Sequence, residues 1–266
     1  METVYSFSQE YEDVILYHLL RDVKEPIRYI DVGANDPIYL SVTKFFSLRG
    51  GSGINIEPQH ELIEKLNKDR PNDINLEVGV SDKPGTLKLY GTGTGASFDS
   101  EITRERNSRE VPIVILADVC NQYVAQQTAI HFLKIDVEGF EKQCLEGMDF
   151  KNYRPWIVCM ESTKPGTDIP AWEPWENILL SQGYEFLGMN GINRYYVAKE
   201  TKSRINEFRN VDQLQDMYEI FFASLVSPCQ QLSEIYCIKG QNKFFKKTIA
   251  GMMIMLVCVI CYALIK

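Results

Sequence analysis

Positive charge is scarce in this chain. Its 28 Lys and Arg face 36 Asp and Glu, a formal net charge of −8. A surface of that sign repels phosphate backbones, so no nucleic-acid partner is expected. Closely spaced cysteines are almost lacking. Seven are scattered along the chain, and only Cys258 and Cys261 lie near each other, inside an apolar run. That excludes a zinc site and a disulfide framework, and favours a reducing compartment. The opening stretch "METVYSFSQEYEDV" is acidic and polar, so it does not read as a signal peptide. Internal repeats and low-complexity tracts are missing. There are three histidines. His18 and His60 read as helix-surface or packing residues, and His131 as structural, at the strand end far from the motifs below.

Apolar residues are plentiful, at 45%, enough for the core of one large α/β domain with additions. Residues 249–265 run apolar and uncharged, preceded by Lys243, Lys246 and Lys247. At ~1.5 Å per residue such a helix nearly crosses a ~30 Å hydrocarbon layer. The leading basic residues place the large domain in the cytoplasm, with a single-pass C-terminal anchor.

Between the ends, strands and helices alternate. Residues 8–23 read as a helix with Ser8 as its cap. "IRYIDV", "GINIEP", "INLEVGV", "HFLKIDV" and "WIVCME" read as strands. "IYLSVTKFFSLRG", "HELIEKLNKD", "FEKQCLEGM" and "WEPWENILLSQG" read as the helices between them. Alternation of this kind predicts a parallel sheet covered on both faces. The rhythm breaks at "YEFLGM" and "RYYVAK", which flank Asn190-Gly191, a hairpin turn signal. Residues 91–110 are glycine-rich and then charged, and read as a long loop, either an acceptor-binding lid or a flexible connection. The expected organisation is an N-terminal helical cap over 1–26, the main domain over 27–200, a helical appendage over 201–247 and a membrane segment over 248–265.

Four motifs fall at strand ends. Asp31, Gly33 and Asn35 form D-x-G-x-N after the first strand of the main domain. The glycines that would complete a pyrophosphate-binding fingerprint are absent at 35 and 38, and Asp36 would repel a phosphate at a helix N-terminus. Acids there suit a cationic cofactor, and S-adenosyl-L-methionine carries a sulfonium and an ammonium but no phosphate. Glu57 closes the next strand, where a carboxylate can accept both ribose hydroxyls. Ser81 and Asp82 follow the third strand and read either as contacts to an adenine edge or as an ordinary turn in Asp-Lys-Pro-Gly. Asp136 and Glu138 end the fourth strand, with Lys134 inside it in need of a partner, and Glu161 ends the fifth.

With these residues placed, the sequence resembles the FkbM-type family of S-adenosylmethionine-dependent methyltransferases, from about Tyr5 to Lys199. "SQEYEDVIL", "YIDVGANDP" with "SVTKFF", "GINIEP", "VGVSDKPGTLKLY", "VPIVILADV", "FLKIDVEGFEKQCLEGMDF", "RPWIVCMES" and "GYEFLGMNGINRYYVA" carry the resemblance. It most resembles the branch associated with polysaccharide biosynthesis. The chain departs from the family at Asp36-Pro37, where Ile-Gly is common, and at Ala117, where an acid is common. The resemblance implies a class I methyltransferase fold: a Rossmann-like, doubly wound, mostly parallel sheet ending in an antiparallel hairpin. It implies methyl transfer to a hydroxyl of a sugar in a glycan, glycolipid or related metabolite, beside glycosyltransferases. Asp31, Gly33, Asn35, Glu57, Ser81, Asp82 and Asp136 are then the cofactor-binding set. Asp136, Glu138 and Glu161, in that order, are the general-base set, or oxygen ligands suited to magnesium. Trp156 reads as core, and Trp172 and Trp175 either as core or as a sugar-stacking face. Two rival readings stand beside this one: an NAD- or nucleotide-sugar-binding oxidoreductase, and a non-catalytic, membrane-tethered module of the same fold.

Overall fold

The computed structural model describes residues 1–103 and 107–223. Contacts divide the chain after Phe222, and the first unit is described here. The apolar run expected to cross a membrane lies outside the described residues. Among those described, no helix is long and apolar enough to cross one.

In chain order the elements are β1 (Glu2–Ser6), α1 (Glu12–Leu20), β2 (Arg28–Val32), α2 (Val42–Leu48), β3 (Ser52–Ile56), α3 (His60–Asp69), β4 (Ile74–Leu76), β5 (Gly79–Val80), β6 (Gly85–Tyr90), β7 (Ser108–Val114), α4 (Leu116–Tyr123), β8 (Phe132–Ile135), α5 (Glu141–Glu146), β9 (Ile157–Glu161), α6 (Glu173–Ser181), β10 (Tyr184–Asn190), β11 (Asn193–Ala198), α7 (Val211–Leu214) and β12 (Tyr218–Phe222). The main sheet has seven strands in the order β10-β11-β9-β8-β2-β3-β4. Strands β9, β8, β2, β3 and β4 run parallel, and β11 runs antiparallel to both its neighbours. The Asn190-Gly191 hairpin is therefore real, and Gly191 takes the left-handed φ of 53° that its turn requires.

Side-chain alternation explains the two-faced core. Ile30, Val32, Leu133, Ile135, Val158 and Met160 point to one face, with Leu116, Cys144, Leu145, Trp175 and Leu179 from the helices that cover it. Tyr29, Phe132, Ile157, Cys159 and Tyr195 point to the other, against Val14, Leu16, Leu19, Phe45 and Phe46 of α1 and α2. Strands buried on both faces read as continuous apolar runs, as these do. Cys120, Cys144 and Cys159 are free and buried. Trp156 and Trp175 are core residues. His131 accepts a hydrogen bond from the Arg28 amide at the strand end away from the site.

Several elements differ from the sequence expectation. The opening residues form a strand, β1, which pairs in parallel with β12; neither strand could be read locally, because each exists only through the other. Helix α1 begins at Glu12, not near Ser8, with Tyr11 left-handed ahead of it. Helix α2 starts at Val42 because the preceding residues are otherwise engaged. The Asp36 carboxylate accepts from the Ile38 and Tyr39 amides, and Leu40 has a φ of 56°. "INLEVGV" splits into β4 and β5, the latter joining β7 and β6 in a separate three-stranded sheet. The loop read over 91–110 ends early, since Ser108 already begins β7, antiparallel to β6.

Candidate active site

The C-terminal ends of the parallel strands open into one cleft, where open α/β sheets place their ligands. About 860 Å³ of empty space, open solvent at its mouth included, lies within it. Gly33 and Asn35 after β2, Glu57 after β3, Val78–Val80, and Lys134 with Asp136–Glu138 around the end of β8 line it.

Gly33 shapes the floor. Its φ is +79°, and a side chain there would collide with the carbonyl oxygen of Asp136. The amides of Gly33 and Ala34 both donate to the Ile56 carbonyl, locking the turn to β3. We predict that Gly33→Ala, which adds left-handed strain of ~1–2 kcal/mol to overpacking of ~1–3 kcal/mol, lowers stability by ~3 kcal/mol in urea titration.

Glu57 is 3% exposed and lines the cleft. One carboxylate oxygen accepts from the Asn35 amide at 3.0 Å and the other from the Gln59 amide at 2.9 Å. Burial raises its pKa against the pull of those amides. Each oxygen keeps lone-pair capacity for a further donor.

Asp31 is not part of the cleft lining. It shares a sheet face with Tyr29, so it turns toward α2. There it accepts from the Thr43 hydroxyl at 3.0 Å and sits 3.4 Å from Lys134 Nζ, its cross-strand neighbour. Lys134 donates to the Gly33 carbonyl at 3.1 Å and lies 3.4 Å from Asp136. Burial works against this ammonium, but Asp31 and Asp136 outweigh it and hold its pKa above the ordinary lysine value. Asp36 is likewise used locally, paired with Lys65 at 2.9 Å. It stands outside the cleft lining and not at a helix N-terminus. Ser81 and Asp82 bond to each other and also fall outside the lining. The residues just before them, Val78, Gly79 and Val80, form the wall with Leu89 and Phe98.

Asp136 and Glu138 both line the cleft. Glu138 is held at a φ of 53°, and burial, then Asp136 and Glu141, push its pKa up to about 7. Glu161 lies outside the lining and is 5% exposed. Burial, then Asp136, Glu138 and Glu141, raise it from 4.5 to about 10. Its Oε2 has no hydrogen-bond partner. It is thus a neutral acid at ordinary pH. The folded pKa exceeds the unfolded one, so its stabilising contribution is complete below pH 4.5 and is lost as pH rises toward 10. Glu161→Gln is expected to raise Tm at pH 8 but not at pH 4, as melting across that range would record.

Two contributors were missed in the sequence. Gln9 and Glu12 reach the cleft from the N-terminal segment, brought there by the packing of α1 on the sheet. The glycine-rich loop contributes Gly93, Thr94, Ala96 and Phe98. Gln59 pins it through paired bonds with Gly93, and Ser97 donates to the Glu138 carbonyl. Trp172 is not in the lining and instead stacks on Arg194 at 4.1 Å. Of the non-glycine residues with left-handed φ, Asn35, Leu40 and Glu138 line the cleft and Tyr11 precedes Glu12. Backbone strain concentrates where function does. Among the described residues, no group of three or more His, Cys, Asp or Glu side chains is arranged to hold a metal ion, so the expectation of magnesium gains no support.

The mostly parallel sheet, with β11 reversed beside the edge strand, is an α/β architecture consistent with a methyltransferase. Residues 31–186 match the family model described as the methyltransferase FkbM domain. The chain belongs to that family and is a methyltransferase, which sets the oxidoreductase reading aside. A search of the curated proteins finds no match to the chain.

Proposed function

We propose that the chain transfers a methyl group from S-adenosyl-L-methionine to a hydroxyl of a sugar in a glycan, glycolipid or related metabolite. The observation that carries this reading is one cleft holding both Glu57, free to receive a ribose diol, and Glu138, poised near neutrality. The residues fit the cofactor. Val78, Gly79, Val80, Leu89 and Phe98 offer an apolar slot for an adenine, Glu57 receives the ribose, and the bare backbone of Gly33 admits close approach. When bound, S-adenosyl-L-methionine supplies a methyl group activated by its sulfonium.

The chain's own residues do the rest. Positioning the acceptor oxygen in line can supply ~7–11 kcal/mol of the barrier. Glu138 accepts the hydroxyl proton as the new bond forms. It replaces Asp136 as the first candidate base, because Asp136 is drawn to Lys134. Glu161 is already protonated near neutrality and serves poorly as a base. Glycan or glycolipid acceptors, a membrane tether through 248–265 with the catalytic domain in the cytoplasm, and work beside glycosyltransferases complete the proposal.

The test has two stages. Calorimetric titration with S-adenosylhomocysteine should give saturable binding. Incubation with methyl-labelled donor and a membrane glycolipid extract should then place label on a sugar oxygen by mass spectrometry. Absence of binding refutes the cofactor; label on nitrogen or carbon refutes the acceptor class.

A further inference from the structure

Glu12 is a carboxylate that the chemistry above leaves unused. It is 4% exposed, yet it lines the same cleft as Gly33, Glu57 and Lys134. Its position is fixed from two sides. Asn193 Nδ2 donates to Oε1 at 2.9 Å, and the Glu10 amide donates to Oε2 at 2.8 Å. Each oxygen retains capacity for another donor. Among the described residues, no cation lies within salt-bridge distance of it. Lys134, the cation of the lining, is committed to Asp31, Asp136 and the Gly33 carbonyl. Lys134 and Glu12 attract each other across the cleft without forming an ion pair, and a desolvated carboxylate with no paired cation is costly unless one arrives with the ligand.

The other acids of the lining are spoken for: Glu57 at the ribose, Asp136 by Lys134, Glu138 by the acceptor proton. The methyl donor carries a second cation besides its sulfonium, the ammonium of its amino-acid end. We infer that Glu12, carried into the cleft by the N-terminal helix, binds that ammonium. The left-handed Tyr11, φ 59°, is the backbone strain that sets the carboxylate in place. Burial pushes Glu12 up to about 7, and an arriving ammonium would draw it back down toward the ionised form.

This inference rests on the cofactor proposed above, and the experiment separates the two. Calorimetry compares S-adenosylhomocysteine, which has the ammonium, with methylthioadenosine, which lacks the amino-acid end. Wild-type protein should bind both. Glu12→Gln should weaken S-adenosylhomocysteine about 10–100-fold and leave methylthioadenosine unchanged. If wild type binds neither, the cofactor reading fails. If wild type binds and Glu12→Gln changes neither ligand, or weakens both equally, the assignment of Glu12 is overturned. Should Glu12→Gln fail to fold, Glu12→Asp, which withdraws the charge by one methylene, is read by the same comparison.

Discussion

Replacing Glu57 by alanine is expected to weaken S-adenosylhomocysteine binding by about 10²–10⁴-fold, measured by calorimetry. The size follows from what the residue can do. Two charge-assisted hydrogen bonds to a ribose diol are worth ~1.5–3 kcal/mol each, and every ~1.4 kcal/mol is tenfold in affinity. A second loss compounds the first. The Asn35 and Gln59 amides that now donate to Glu57 would lose their acceptor, and the left-handed turn at Asn35 would relax away from the ligand. Methylthioadenosine keeps the ribose, so its affinity should fall alongside. Unchanged affinity for both ligands would show that the nucleoside lies elsewhere.

Replacing Glu138 by glutamine is expected to cut turnover about 10²–10⁴-fold, the range of a lost general base, with S-adenosylhomocysteine affinity preserved. The pH profile supplies the sharper test. As the proposed base Glu138 works in its carboxylate form, and burial together with Asp136 and Glu141 lifts this group to about 7. Wild-type turnover should therefore climb tenfold per pH unit below about 7 and level off above it. The Glu138→Gln profile should be flat there. A wild-type profile that levels off two or more units lower would return the role to another carboxylate. Asp136→Asn separates the cases further, because it removes a charge that raises Glu138. The inflection should then move to lower pH while turnover persists.

Strand tips were legible in the sequence because their signals are local. A buried strand is an apolar run, and a polar residue directly after it marks the rim. That is why Gly33, Asn35, Glu57, Asp136 and Glu138 fall in the cleft as expected. The fate of Asp31 was readable in principle. It holds the third place in "YID", as Lys134 does in "FLK", and neighbouring strands in register put the two side by side. Ser81 and Asp82 looked like rim residues because β4 and β5 read as one strand. Their separation carried the chain into a second sheet and left Val78–Val80 at the wall.

The amino-acid sequence by itself determined the alternation of strands and helices, the reversed hairpin at the sheet's edge and the family of acids that can meet a ligand. Each rests on periodicity or on a turn spanning a few residues. Only the tertiary structure decided which acids face the cleft and in what charge state. Glu12 depends on Asn193, β1 on β12, and the neutrality of Glu161 on three other carboxyls. Burial and electrostatic coupling are properties of residues brought together across the chain, and no local pattern records them.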